Sequence, residues 1–200
     1  KKYNFYLIED ACHALGAKYS IKKKLYVGCC KYSDIATFSL HPVKSITTGE
    51  GGIVSTNDKN IFRKVEFLKN HGILRKKNNL TKYIWDYKVI LPGYNYRLSD
   101  IASALGISQL KKIDKFIKIR NKNFQIYKKA LIKFKKYLNL PVLQKDQLSS
   151  NHLFIINLNL KNLKIDRDKF IQELFKSNIL CQVHYIPVFF HPLYKYLKTP

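Results

Sequence analysis

The sequence has 200 residues, 46% of them hydrophobic, enough apolar material for a buried core and too much for wholesale disorder. No window carries the roughly 18 uninterrupted apolar residues of a membrane helix, so no membrane association is expected. The net charge of +24 comes from 37 basic and 13 acidic residues, but the excess is almost all Lys, spread along the chain with abundant Asn and Ile, as a genome rich in A and T would produce. With no clustered basic face and no reader motif, no nucleic-acid partner is expected.

In chain order, Lys1-Lys2 runs directly into Tyr3–Ile8, too short an apolar run for a secretory segment. Phe5–Ile8 reads as a buried strand with Glu9-Asp10 at its carboxyl end. Ile35–Leu40 reads as a second strand, stopped by His41-Pro42. Ser45–Gly52 is a turn-rich loop with three glycines, and Ile53–Ser55 a short strand. Thr56-Asn57-Asp58 opens a helix whose apolar residues Ile61, Phe62, Val65, Phe67 and Leu68 lead to a stop at His71-Gly72. Arg75–Tyr83 reads as a loop. Ser99-Asp100 opens another helix, with Ile101, Ala104, Leu105, Ser108 and Leu110 as a narrow packing face. The apolar period continues to Phe134, as one long helix or two in series, closed by Pro141. His152–Leu160 reads as a strand, Asp166–Ser177 as a helix and Ile179–Tyr185 as a strand. Helices alternating with strands give an α/β architecture.

Cys12, Cys29, Cys30 and Cys181 contain no C-x-x-C pair, and they read as reduced cytosolic thiols rather than as a disulfide framework or metal ligands. The sequence has no Met, not even at position 1, and shows no closing element after Leu197-Lys198-Thr199-Pro200. It therefore reads as an internal fragment.

Three local features carry chemistry. Glu9-Asp10-Ala11-Cys12-His13 puts a carboxylate at a strand end with an imidazole three residues on; the plain alternative is that Asp10 caps the following turn. Ser39-Leu40-His41-Pro42-Val43-Lys44 sets a hydroxyl and an amine five residues apart across a turn, although a lone Lys in so Lys-rich a chain is ordinarily a solvated surface residue. Thr47-Thr48-Gly49-Glu50-Gly51-Gly52 is neither a Walker loop nor a dinucleotide fingerprint, and on composition is a tight loop.

The order and spacing of these features resemble the DegT/DnrJ/StrS family of sugar aminotransferases. The matching strings are IEDACHALGA, SDIATFSLHPVKSITTGEGGIVSTND, NHGI, GYNYRLSDIASALGISQLKKID and QVHYIPV, and they cover nearly the whole chain. SLHPVKSITTGEGG, SSNHL and CQVHYIPV look closest to the branch that makes UDP-4-amino-4,6-dideoxy-N-acetyl-β-L-altrosamine, a precursor of pseudaminic acid. The resemblance implies the PLP-dependent transferase fold type I, aspartate aminotransferase-like, with residues 1–115 as part of the large domain and 116–200 as part of the small C-terminal domain. It implies pyridoxal 5'-phosphate as cofactor and Lys44 as the catalytic lysine bonded to it. Asp10 then pairs with the pyridine nitrogen, His13 packs on the ring or bonds its hydroxyl, and Ser39 binds the phosphate. Asn95 reaches the phosphate of a neighbouring subunit, making a homodimer with a shared active site. His184 and Tyr185 fall near the sugar-nucleotide side, with strand-end packing as their alternative; His71 and Arg97 lie in family motifs, Arg97 with a structural part.

The implied reaction is transamination of a UDP-linked 4-keto-6-deoxy sugar with L-glutamate as amino donor, in the cytoplasm. Relatives that carry His in place of the lysine dehydrate the sugar instead. Other nucleotide-sugar aminotransferases of perosamine, aminoarabinose or 3-keto-sugar type, a non-catalytic PLP-binding protein and a basic nucleic-acid binder stay open as alternatives.

Overall fold

The computed structural model describes residue 3, residues 5–74 and residues 85–194. The chain groups into two compact units, Lys1–Ala130 with Pro141–Ile155, and Leu131–Leu140 with Ile156–Pro200.

In the first unit, β1 is Ile8–Asp10, β2 Lys18–Ser20, β3 Leu25–Tyr26, β4 Ile35–Ser39 and β5 Gly52–Ser55. The main sheet has the order β1-β4-β5, with β1 parallel and β5 antiparallel to β4. The first strand begins three residues later than Phe5 because its ladder begins only where Ile8 faces Ile35. Just before it, the Leu7 amide donates to the Asp34 carboxylate at 2.7 Å while the Leu7 carbonyl accepts from the Asp34 amide at 2.8 Å, so a side chain takes one of the two backbone groups there. Along β4 the residues alternate between covered and half-covered, and Ala36 and Phe38 are buried with Ala11. Burying a ring such as that of Phe38 contributes about 2–3 kcal/mol.

The β2–β3 hairpin is tied to a distant segment: the Ser20 hydroxyl donates to Asp146 at 2.6 Å, and Lys18 bridges Leu148. Helix α1 spans Lys59–Leu68, capped by Asp58, whose carboxylate accepts from the amides of Asn60 and Ile61 at 2.7 and 3.0 Å. Strands β6 (Ile73–Leu74) and β7 (Lys88–Val89) pair antiparallel, and the loop expected at Arg75–Tyr83 lies outside the described residues.

Helix α2 spans Asp100–Leu110 with Ser99 as its cap, and α3 spans Ile113–Leu131, so the long apolar period is two helices broken at Lys111-Lys112. The expected packing face of α2 is turned outward: Ile101 is 86% exposed, and the covered side is Ala102, Ser103, Gly106 and Gln109. Gly106 shows why, since a Cβ there would lie 2.8 Å from the Thr48 methyl group; small residues let α2 sit directly on the loop that follows β4. On α3, Ile117 and Phe124, two turns apart, are the buried residues, and the Phe124 ring meets the Phe154 ring edge-on at 5.3 Å. The Ile117 side chain occupies the place a Cβ of Gly16 would take, and Gly16 sits at φ +82 in the turn after β1.

In the second unit, β8 (Leu138–Asn139) pairs antiparallel with β9 (Asn157–Leu158), and α4 spans Arg167–Lys176 behind the cap Asp166. The strands expected at His152–Leu160 and Ile179–Tyr185 differ from this. Only Asn157–Leu158 of the first is laddered, and the second is not a strand among the described residues. An apolar run becomes a strand only when a neighbour takes up its backbone groups; here Leu180 is 82% exposed. Among the described residues, no helix is long and apolar enough to cross a membrane.

Candidate active site at the strand ends

Parallel pairing of β1 with β4 sets Asp10 opposite Thr37, so the two strands deliver their carboxyl ends to one edge of the sheet. In open α/β sheets this edge is where ligands bind. Beyond it, each chain turns sharply. After β1, the Asp10 carboxylate accepts from the Cys12 amide at 3.1 Å, and the Ala14 amide donates to the Ala11 carbonyl at 2.8 Å. After β4, the Ser39 hydroxyl accepts from the His41 amide at 3.3 Å, and the Lys44 amide donates to the His41 carbonyl at 2.9 Å. These two turns bring together residues 31 apart in sequence: Lys44 Nζ lies 2.7 Å from His13 Nε2.

The loop carrying Lys44 is fixed from below. Its neighbours Ser45, Ile46 and Thr48 are buried, and the Thr48 amide donates to the Leu40 carbonyl at 3.0 Å. Lys44 is half-exposed on this base, its amine at the surface and its backbone held. A cavity of about 270 Å³ opens beside it, lined by Lys44, Thr47, Gln109, Phe116 and Arg120 among others.

The electrostatics favour an ionised carboxylate at Asp10. The Cys12 thiol and amide hold its carboxyl below the usual range, with His13 and Lys44 adding smaller effects of the same sign. Burial, then Asp10 itself, push the Cys12 thiol up, so Cys12 stays protonated and serves as a donor rather than a nucleophile. Asp10 therefore does cap its turn, and the residue as a whole is exposed at the strand end.

Of the residues expected at the site, Asp10, His13, Ser39 and Lys44 converge on this edge. Asn95 lies at a different corner of the same unit, where it bridges Asn70. That corner is a zipper: the Tyr94 carbonyl accepts from the His71 amide at 2.9 Å, and Arg97 donates to Asn70 at 2.7 Å. His184 and Tyr185 belong to the second unit and are exposed there.

Three residues that the sequence did not single out complete the surroundings. The buried Ser150 hydroxyl donates to the His13 carbonyl at 2.7 Å, the His152 ring lies 4.6 Å from that of His13, and Arg120 reaches the Lys44 carbonyl at 3.5 Å. Ser150 and His152 fall in the SSNHL string, which carried a resemblance but no role. Arg120 had a compositional signal, being one of five Arg in a chain whose cations are otherwise Lys.

The chain is similar to known sugar aminotransferases. The chain is 41% identical over 197 residues to the UDP-4-amino-4,6-dideoxy-N-acetyl-beta-L-altrosamine transaminase of Campylobacter jejuni, covering 98% of this chain and 49% of that protein. Among solved structures, it matches Helicobacter pylori PseC, an aminotransferase involved in the biosynthesis of pseudoaminic acid, with TM-score 0.84 and 34% identity over 98% of this chain and 50% of that one. It also matches a protein of Streptococcus pneumoniae described as a sugar aminotransferase and solved in its PLP form, with TM-score 0.80 and 26% identity over 97% and 47% of the two chains. The chain thus spans about half the length of the relatives it matches. Its fold is that of the fold type I PLP-dependent transferases. The profile of the DegT/DnrJ/EryC1/StrS aminotransferase family matches residues 1–200, and the chain belongs to that family.

Proposed function

We propose that the full-length protein is a pyridoxal-phosphate-dependent aminotransferase that aminates a nucleotide-linked 4-keto-6-deoxy sugar, with L-glutamate as amino donor. The observation that carries this reading is the 2.7 Å approach of Lys44 Nζ to His13 Nε2 at the edge where β1 and β4 end in Asp10 and Ser39. The residues fit the cofactor. Asp10 supplies an ionised carboxylate, matched to a protonated pyridine nitrogen. Ser39 supplies a hydroxyl at a strand end for phosphate, and Lys44 an amine on a fixed loop for the aldehyde.

When bound, pyridoxal phosphate supplies an electron sink for proton removal at the carbon bearing nitrogen. This chain's residues do the rest. Lys44 would bond the cofactor and would hold and return a proton at Nζ. His13, within hydrogen-bond reach, orients that amine and would pack on the ring or bond its hydroxyl. Asp10 keeps the pyridine nitrogen protonated. Asn95 completes the phosphate site of a second subunit in a homodimer, and His184 and Tyr185 contact the sugar nucleotide. Residues 1–115 make the large-domain share and 116–200 the small-domain share. The protein works in the cytoplasm.

A UDP-linked sugar of the pseudaminic-acid type is favoured by the 41% identity to the altrosamine transaminase. The test is a turnover assay of the full-length protein with L-glutamate and UDP-, GDP- and dTDP-linked 4-keto-6-deoxy sugars, reading 2-oxoglutarate. Preference for the UDP sugar supports the finer reading. Preference for the GDP sugar moves the assignment to the perosamine type, and no turnover with a cofactor that borohydride fails to fix overturns the whole.

A further inference from the structure

We propose that Arg120 and His152 are a positioning pair for Lys44, one acting on its backbone and both acting on its amine through His13; the proposal rests on the cofactor reading of Lys44 given above. The contacts close into a ring. Arg120 on α3 places Nη1 3.3 Å from both the carbonyl oxygen and Nδ1 of His152. Its Nη2 lies 3.5 Å from the Lys44 carbonyl. The His152 ring lies 4.6 Å from the His13 ring at a 55° tilt, and His13 Nε2 meets Lys44 Nζ at 2.7 Å.

The chemistry of each group fixes its part. A guanidinium has donors and no acceptor, so Nδ1 of His152 must accept and the ring proton sits on Nε2. That locks the tautomer and orientation of His152, and with them the surface against which the His13 ring rests. The fork geometry lets one Arg serve His152 and the Lys44 backbone together, which a lysine ammonium in the same place could not do with fixed angles.

Neighbouring bonds hold the ring of contacts rigid. Asn121, next to Arg120, donates to the Ser149 carbonyl at 3.1 Å and accepts from Asn151 at 3.0 Å. Ser150, 1% exposed, donates to the His13 carbonyl. Helix α3 thus grips residues 149–152, and these grip His13, so both the base and the tip of the Lys44 side chain are referred to one helix. A reacting amine needs its supporting groups placed to a fraction of an ångström.

The experiment uses the full-length protein with Arg120→Gln, His152→Asn and His152→Phe. Asn keeps an acceptor near the Nδ1 position and loses the ring; Phe keeps the ring and loses the acceptor. Four quantities are read: kcat with KM for both substrates, the rate at which cofactor-free protein covalently captures pyridoxal phosphate, visible circular dichroism of the bound cofactor, and thermal stability. Arg120→Gln and His152→Asn are expected to lower kcat and the capture rate by about tenfold each, with KM within about twofold, as misplacement of a reacting group does. The dichroic band changes with them, while the melting midpoint holds. His152→Phe recovers capture to within about threefold of wild type by restoring the ring surface. Capture and kcat within about twofold of wild type in both His152→Asn and Arg120→Gln overturn the proposal, as does a loss confined to KM. Should Arg120→Gln fail to fold, the two His152 variants decide alone. A wild type that captures no pyridoxal phosphate sinks the cofactor reading, an outcome distinct from variants that match a wild type that loads.

Discussion

The two units differ in how far along the sequence their side-chain bonds reach. In the first, side chains join positions far apart in sequence: Ser150 to His13 across 137 residues, Ser20 to Asp146 across 126, Arg120 to Lys44 across 76. In the second, the reach is shorter: Asn162 donates to the Lys136 carbonyl across 26 residues, and the helix is held by near neighbours, Asp166 to the Lys169 amide, Arg167 to Asp168 and Lys176 to Glu173. The contrast matters for chemistry. A reacting amine needs its neighbours fixed in three dimensions, and only the long-range set fixes positions that the chain itself leaves free. The local set secures a helix and no more.

The largest effect should separate the two sets by function. Lys44→Ala is expected to lower kcat of the full-length protein by about a thousandfold or more, roughly 4 kcal/mol in the barrier, and to abolish borohydride fixation of the cofactor. Tyr185→Phe should instead raise KM for the nucleotide sugar by about threefold to tenfold with kcat within about twofold, the pattern of a binding contact. If the two variants behave alike, the assignment of chemistry to the first unit fails.

Ser150→Ala comes next. It leaves the His13 carbonyl without its buried donor and should cost about 2 kcal/mol in urea unfolding. Tyr19→Phe follows at about 1 kcal/mol, because the Tyr19 hydroxyl donates to Glu9, whose second oxygen is buried without a hydrogen-bond partner. Burial first, then Glu9, push the Tyr19 hydroxyl far above its ordinary value. Its folded pKa is raised, so its contribution is complete below about pH 10 and is lost as pH rises through the folded value. An ultraviolet titration should show one tyrosine ionising later than the rest in wild type and not in Tyr19→Phe.

The same division explains what could be read in advance. Caps are local, and Asp58, Ser99 and Asp166 each stand where a short polar residue precedes an apolar period. The strands at Ile35–Ser39 and Gly52–Ser55 were legible because each finds a ladder partner close in sequence. The strand expected at Ile179–Tyr185 has the same apolar character and finds none among the described residues, and a period of two in sequence says nothing about a neighbour. The narrow face on α2 failed for a related reason: Gly106, Ala102 and Ser103 are covered because they are small enough to approach the Thr48 loop, while larger Ile101 and Leu105 face outward. At the site, the Asp10, His13, Ser39 and Lys44 positions came from motif order. Arg120, Ser150 and His152 did not, since what brings them to Lys44 is the packing of α3 and residues 149–152 against the turn after β1. No local pattern encodes that packing.

The smallest expected effect tests the contrast most directly. Asp58 and Asp166 are the same device, an aspartate accepting from first-turn amides at 2.7 Å, one in each unit. Removing either by substitution to Ala should cost about 1 kcal/mol of helix stability. Where that cost appears depends on how the helix is tied to the rest. If the first unit's long-range bonds make it open as a whole, Asp58→Ala lowers the global unfolding energy and speeds hydrogen exchange across α1 and the sheet together. If α4 opens by itself, Asp166→Ala speeds exchange in Arg167–Lys176 and leaves the global transition where it was. Equal shifts of the global transition by both caps would mean that α4 is coupled to the rest as firmly as α1. In that case local bonding would no longer distinguish the second unit from the first.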